Sequence, residues 1–494
     1  VASGQITQAQ YDKAMAYYTD PLDTVCMRQL YLPIPQFVFT KRISEHVGIG
    51  AGFVFPAQQP VGAWGGEDGV IPGKNGDIRP SPVRYMLLES SQLALFPTIG
   101  VGYRVQGFER LRLGLALQWG MVTLTSSAMA GSSGGTTPRG DVRYKITGKD
   151  LFVPAVIFST HYIPIDALDI VLAAKWQDDV DASGNLDLTT GTFDPTLIPV
   201  TSKIKVNSIR QNMPWKLRAG IRFADRIVPR PQGTGDEKGD NAKKNGVRDP
   251  LSDERWDIEL DAEFQYNSRN QNQEINYPAG EVVYIQGVAD KTTGVLPERK
   301  AVSYPAQITV GGKTVAAPTI LEKHWKDQLS VRLGGTYNVL RGLLGISAGA
   351  HWENRGIDPN YMQVDFWPVS RLGLHGGVIV RLFRFVDVSV SYAHIFQENI
   401  VVQPPSHLAA GEIYRNMSDP TKANAVNIDK TVGVSESAQG RIVIEELPVK
   451  NPDGTAKIKQ IILNGTPGMP QWITNAGTYR SNYNVIAAGM NVHF

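Results

Sequence analysis

The strongest constraint on this chain is an apolar/polar alternation of period two that recurs too often for its apolar faces to cover one another. The closing stretch, Tyr483–Phe494, reads YNVIAAGMNVHF. Ile486, Ala488, Met490, Val492 and Phe494 share one face, and Val485, Ala487, Gly489, Asn491 and His493 share the other. Such alternation marks a strand whose two faces meet different surroundings. A terminal aromatic residue fits the closing strand of an outer-membrane barrel, where every second residue faces lipid and aromatic residues ring the interface. A half-buried edge strand of a water-soluble sheet would give the same string, so the rest of the chain must decide.

Twelve further rows precede it. Tyr31–Thr40 is the first. Val47, Ile49, Ala51, Phe53 and Phe55 come next, backed by Gly48, Gly50 and Gly52. Leu93, Leu95, Pro97, Ile99, Val101, Tyr103 and Val105 oppose Gln92, Thr98, Gly100, Gly102 and Arg104. Leu111, Leu113, Leu115, Leu117 and Trp119 oppose Arg112, Gly114, Ala116 and Gln118. Later rows run through Val156 and Phe158, Leu168–Trp176, Trp215–Phe223, Trp256–Tyr266, Leu329–Val339, Leu344–Trp352, Leu372–Leu382 and Val386–Tyr392. Trp119, Trp176, Trp215, Trp256 and Trp352 sit at row ends, where aromatic girdles belong. A soluble sandwich would need a partner sheet for each apolar face, and no segment is left to supply one.

The polar faces carry charge. Lys216, Arg218 and Arg222 alternate with apolar residues on one row, and Asp257, Glu259, Asp261 and Glu263 on the next. One antiparallel register sets Arg222 against Asp257, Arg218 against Asp261 and Lys216 against Glu263. Each such pair contributes roughly 0.2–1 kcal/mol. The reading is a charged lumen wall behind an apolar exterior. Short turns follow Thr40, Val105, Ile163, Leu340 and Phe383, and long loops follow Phe55, Thr125, Gln177, Asn267, Trp352 and Ile400. Short turns inside and long loops outside are the barrel rule. Asp225–Arg255, with its PQGTGDEKGDNAKKNG run, breaks that rule and is expected to be mobile.

Composition narrows the chemistry. The 494 residues carry a net charge of +2, which gives no argument for nucleic acid. Cys26 is the sole cysteine, so there is neither a disulfide framework nor a zinc cluster. No run of about 18 apolar residues is present, so no helix spans a membrane. GIGAG at Gly48–Gly52 resembles a phosphate loop but lies inside a strand with no helix after it. His351 with Glu353, and His375 with Arg371, share lumen faces without metal spacing. No nucleophile and base are placed to work together, so the chain is read as a non-enzyme without cofactor or metal.

The expected architecture is all-β: a transmembrane antiparallel barrel of 29–494, with 1–28 leading into it and long outer loops at 56–84, 126–149, 178–208, 268–326, 353–369 and 401–477. Thirteen strands cannot close with both ends on the turn side, so a fourteenth strand is expected upstream of Val1, with a signal peptide and a hatch. Pro56 and Pro60 interrupt the strand of Phe53 and Phe55, and Pro97 interrupts the next. Proline donates no ladder hydrogen bond. Two breaks at about one height, flanked by Phe53 and Phe55, suggest a local opening in the wall, a lateral gate. Ordinary proline near a loop accounts for them equally well.

Several strings also resemble a known family in its own order. LPIPQFVFTKRISEHVGIGAGFVFP, KDLFVPAVIFSTHY, MPWKLRAGIRF, WDIELDAEFQY, WKDQLSVRLGGTYNV, DVSVSYAHIF and NAGTYRSNYNVIAAGMNVHF are similar to successive strands of the FadL family, outer-membrane transporters of long-chain fatty acids and other hydrophobic compounds. The likeness spans nearly the whole chain. It implies a 14-stranded barrel in the bacterial outer membrane, acting as a monomer among outer-membrane lipids. Its solute would be a fatty acid or hydrocarbon, bound at outer loops and released sideways through a kinked strand. The family's Asn-Pro-Ala hatch has no counterpart in Val1–Thr24. A diffusion porin for polar solutes, or a surface receptor or adhesin displayed on the loops, are the competing functions.

Overall fold

The computed structural model describes residues 25–27, 34–55, 61–67, 69–72, 78–81, 83–130, 142–190, 197–227, 249–278, 282–286, 289–290, 299–303, 307–310, 313–316, 318–362, 364–365, 368–383, 385–402, 441–450, 456–464 and 477–493. The period-two rows become strands, and stretches between them add others. In chain order these are β1 (Phe37–Arg42), β2 (Val47–Val54), β3 (Val61–Ala63), β4 (Glu89–Arg104), β5 (Leu111–Ala130), β6 (Val142–Ile165), β7 (Leu168–Gln177), β8 (Val180–Thr190), β9 (Val200–Gln211) and β10 (Lys216–Arg226). After a one-turn helix α1 (Pro250–Asp253) come β11 (Glu254–Gln265), β12 (Asn272–Asn276), β13 (Thr319–Glu322), β14 (Gln328–Leu340), β15 (Leu344–Glu353), β16 (Arg371–Leu382), β17 (Val386–Gln397), β18 (Ile400–Val402), β19 (Gly477–Tyr479) and β20 (Asn482–Val492). No described helix is long and apolar enough to cross a membrane.

Thirteen strands of one 18-stranded sheet form a continuous antiparallel wall. Its order is β1, β2, β4, β5, β6, β7, β10, β11, β14, β15, β16, β17, β20, each paired with the next. An odd number of antiparallel strands leaves β1 and β20 pointing the same way, and no ladder joins them among the described residues. The first strand begins at Phe37 rather than Tyr31 and ends at Arg42; residues 28–33 lie outside the described part.

The wall is apolar on its outside. Ile99, Leu117, Phe158, Leu172, Leu217, Leu260, Leu333, Leu374, Val390 and Ile486 are all exposed there, the reverse of what water permits for so large a continuous face. Aromatic residues bound this band. Trp119 stacks edge-on against Phe152 at 5.5 Å, and Trp215 and Tyr266 lie 6.5 Å apart near the loop end. Phe223 with Trp256 (5.7 Å), and Phe108 with Tyr162 (5.8 Å), lie near the turn end. About eight residues separate the two rims along a strand, which at ~3.3 Å per residue and a tilt of roughly 40° gives ~20 Å. That is close to the ~25 Å lipid-facing band of a barrel.

Tightly packed apolar residues lie mostly above this band. β5 and β6 continue past the rim and pair onward through β8, β9, β12 and β13. This extension curls around a buried core that includes Val122, Ile146, Val153, Ala182, Ile204 and Ile209. A second buried cluster joins Leu87, Trp325, Ile357, Met362, Val369, Ile400 and Tyr479, drawing the β18–β19 hairpin over the opposite side. The described residues of these two clusters form two packed caps on the loop side.

Candidate functional site

Among the described residues, the wall and caps line two large open chambers. The upper one, of about 1410 Å³, is lined by Phe55, Ala94, Phe96, Val122, Ile157 and Met213 on one side and by charged strand residues on another. The lower one, of about 1260 Å³, reaches the short turns at Ser44–His46.

The apolar part of the upper chamber depends on how β4 meets β5. Their ladder pairs Leu95 with Met121 and Thr98 with Gln118, and skips Phe96 and Pro97. Pro97 has no N–H to give, and Phe96 turns its ring across β5 instead. Gly120 makes this possible, because a Cβ there would lie 2.7 Å from the Phe96 ring. Lys175 then places its ammonium 4.9 Å from the centre of that ring. Among the described residues no carboxylate lies within ion-pair distance of Lys175. Its ladder partner in β10 is another cation, Lys216.

Buried amides with spare hydrogen-bonding capacity line the same chamber. Gln118 and Gln177 belong to one row of the wall, each aligned with Ala155 of β6. Gln118 Nε2 donates to Thr98 Oγ1 at 3.0 Å, which leaves its Oε1 without a protein partner. Gln177 Nε2 and both side-chain atoms of Asn270 are likewise unpartnered, although Asn270 is 1% exposed. All three line the chamber. Buried polar atoms are rarely left unsatisfied without reason, and a solute with acceptors and donors would supply one. Sequence reading missed Lys175, Gln118, Gln177 and Asn270. The available signal was a lysine on the lumen face of a strand with no acid opposite.

The expected charged wall is present in a different register. Arg218 aligns with Glu263, Arg222 with Glu259 and Lys216 with Gln265, while Asp257 faces Ala224 and Asp261 faces Gly220. The expected register is therefore wrong by two residues. A bulge between Ala224 and Arg226 sets the observed one, by bringing Arg226 opposite Glu254 at the start of β11. A two-residue slide preserves every face, so all seven residues still point inward. Glu263, 2% exposed, becomes the hub: Arg218 binds it directly, and Lys216 and Arg332 each approach to 3.9 Å. Asp261 aligns with Arg332 across the β11–β14 ladder, not with Arg218. Arg222 reaches Asp257 diagonally, its Nη2 donating at 2.7 Å, and it also binds the fully buried Glu254. Arg226 bridges Glu254 and Asp169, and Asp169 holds His161 Nε2 at 2.9 Å. Glu259 and Asp261 line both chambers.

His351 Nδ1 and His375 Nε2 lie 2.6 Å apart on the lumen face, with Glu353 held by Arg371 and by Gln328 Nε2 at 2.9 Å. Among the described residues no group of three or more His, Cys, Asp or Glu side chains is set to hold a metal ion.

The residues expected to frame a lateral gate are partly described. Phe53 aligns with Pro97 and is exposed on the outer face, while Phe55 faces the upper chamber. Pro56 and Pro60 lie outside the described residues. Pairing of β4 on this side stops at Phe96–Val54 and resumes only at Ser91 with β3, so no described ladder spans Gln92–Leu95 there.

No family model and no curated protein matches the chain. Solved structures do. A Pseudomonas aeruginosa FadL homologue superposes with a TM-score of 0.51 and 11% identity, over 75% of this chain and 71% of that one. A TodX monoaromatic hydrocarbon channel (deltaS2S3 mutant) gives 0.47 and 13% over 74% and 78%, and the deltaS2 mutant gives 0.47 and 12% over 75% and 78%. The fold is that of the FadL homologue's β-barrel.

Proposed function

We propose that this chain is an outer-membrane channel for hydrophobic solutes, and that it favours those carrying one anionic head, long-chain carboxylic acids being the simplest. The exterior apolar band between two aromatic rims supports the location. The observation that carries the solute reading is Lys175, an ammonium over Phe96 beside the apolar part of the upper chamber, with no carboxylate at ion-pair distance among the described residues. An acid head beside it would complete an ion pair. The free atoms of Gln118, Gln177 and Asn270 would hold the second carboxylate oxygen or the water around it. The tail would lie on Phe55, Ala94, Phe96 and Met213.

Exit is sideways in this reading, through the wall between β4 and β5, whose ladder skips Phe96 and Pro97. Unpaired backbone in a lipid-facing wall costs several kcal/mol unless protein or water satisfies it. The break at Phe96–Pro97, with Phe53 and Phe55 on either side of the wall, is where the seal is weakest. Pro56 and Pro60 belong to the same stretch in sequence.

Isothermal titration of the purified protein tests the solute class. A long-chain carboxylate should bind more tightly than the alcohol of equal length, and Lys175→Met should erase the difference while leaving the alcohol unaffected. Equal binding of acid and alcohol by the unaltered protein would remove the anionic head from the proposal and leave a channel for neutral hydrocarbons.

A further inference from the structure

The Gly-rich segment between β10 and β11 was expected to be mobile. Residues 228–248 of it lie outside the described part, but its end is fixed in place. Asp249 starts α1, with Pro250 in the first turn, where its missing N–H costs nothing. The turn does not hang below the barrel. It is folded up into the turn-side mouth, and separate wall strands hold it there.

Arg381, at the lower end of β16, donates from Nη2 to Asp249 Oδ1 at 2.9 Å and binds Oδ2 through Nη1, while its Nε holds Asp387 of β17 at 2.6 Å. Asn338 of β14 donates to both Pro250 O and Glu254 O at 2.8 Å. Gly342, in the β14–β15 turn, donates its N–H to Leu251 O at 2.8 Å. Ile227 N–H reaches Asp253 O at 2.9 Å. Leu251 is 4% exposed, and Gly345 leaves room for it: a Cβ at 345 would sit 2.9 Å from Ile379 Cγ2 and 3.3 Å from Leu251 Cδ1. An apolar side chain from a surface turn is thus seated inside the lumen, under a latch of side-chain and backbone hydrogen bonds. Pro250 lines both chambers, as do Arg218, Glu259, Asp261 and Arg332, so α1 flanks the seam where the two meet.

We infer that Asp249–Asp253 is a stopper, narrowing the turn-side mouth beneath β14 to β17. Its consequence is selective. A polar solute leaving the upper chamber on that side meets α1, whereas a hydrophobic one can still leave through the wall. The stopper is built from the chain's own turn.

Conductance of the full chain in planar bilayers tests this, with Asp249→Asn to remove the latch and Leu251→Ser to empty the seat. Heat-modifiability on gels establishes that each barrel is folded. Both variants should raise single-channel potassium chloride conductance several-fold over the unaltered protein, and neither should lower uptake of a hydrophobic solute. Unchanged conductance in both folded variants overturns the stopper. Should one variant fail to fold, the other decides alone; should both fail, the unaltered protein's own conductance at pH 3 against pH 7 decides, since acid removes the Asp249 charge that Arg381 holds. Conductance at pH 3 no higher than at pH 7 would then overturn it. If hydrophobic uptake is absent even in the unaltered protein, the transport proposal fails while conductance still judges the stopper.

Discussion

At the scale of single residues, charge placement separates what alternation can fix from what it cannot. Which side chains face the lumen follows from a period of two, and Lys216, Arg218, Arg222, Asp257, Glu259, Asp261 and Glu263 all face it. Which acid meets which base does not follow, because sliding a strand by two residues keeps every face. Only the bulge at Ala224 and the buried Glu254 break that degeneracy. The structure makes Glu263, not Asp261, the partner of Arg218. Glu263→Leu strands three cations and should destabilise by about 1–3 kcal/mol, with the lower end favoured because Arg218 is well exposed. In a double-mutant cycle read by urea unfolding, Arg218→Leu with Glu263→Leu should be non-additive and Arg218→Leu with Asp261→Leu additive. The opposite pattern would restore the register expected from sequence.

Asp249 supports a pH prediction. Burial pushes its carboxyl up, but hydrogen bonds from Arg381 and Ser252 and the Arg381 charge outweigh this, so it sits below the ordinary carboxylate range. Arg381 of β16, Asp387 of β17, Ser252 and Asp253 of α1, and His493 bound to Asp387 are the groups around it. A depressed carboxylate contributes stability that is complete above its unfolded value of about 3.9 and is lost as pH falls through the folded value. Conductance should therefore be flat from neutral pH to about 5 and rise below about 4. Asp249→Asn should be high throughout, without the acid step. An acid step of equal size in Asp249→Asn would assign it to another group.

At the scale of elements, the wall strands were legible because lipid on one side and a polar lumen on the other impose the alternation directly. The caps were not. β8, β9, β12 and β13 lie in stretches that read as loops, because their apolar residues pack against one another across the chain, as Ile204 and Ile209 do with Val153 and Ala182. Such contacts leave no local period. The β4 break shows the same limit: Pro97 announced an interruption, but the Phe96 ring crossing at Gly120 and the Lys175 above it need three strands to be seen together. Pro97→Val returns an N–H to β4 and should add about one ladder hydrogen bond, worth roughly 0.5–1.5 kcal/mol. Uptake of a hydrophobic solute should then fall while heat-modifiability is retained. Unchanged uptake would place the exit elsewhere.

At the scale of the molecule, lipid-facing wall, packed loop-side segments and the inferred stopper together fit the proposed protein, which would accept a solute from outside and deny it a straight watery path through. That separates the hydrophobic-solute channel from a diffusion porin, whose lumen must run open from end to end. Cells expressing the full-length protein, supplied in parallel with a radiolabelled long-chain carboxylic acid and a small neutral sugar, measure the difference directly. Uptake of the acid should rise with expression, fall in Lys175→Met, and leave the sugar at background. Sugar influx that rises with expression while acid uptake stays flat would contradict the account and identify a porin.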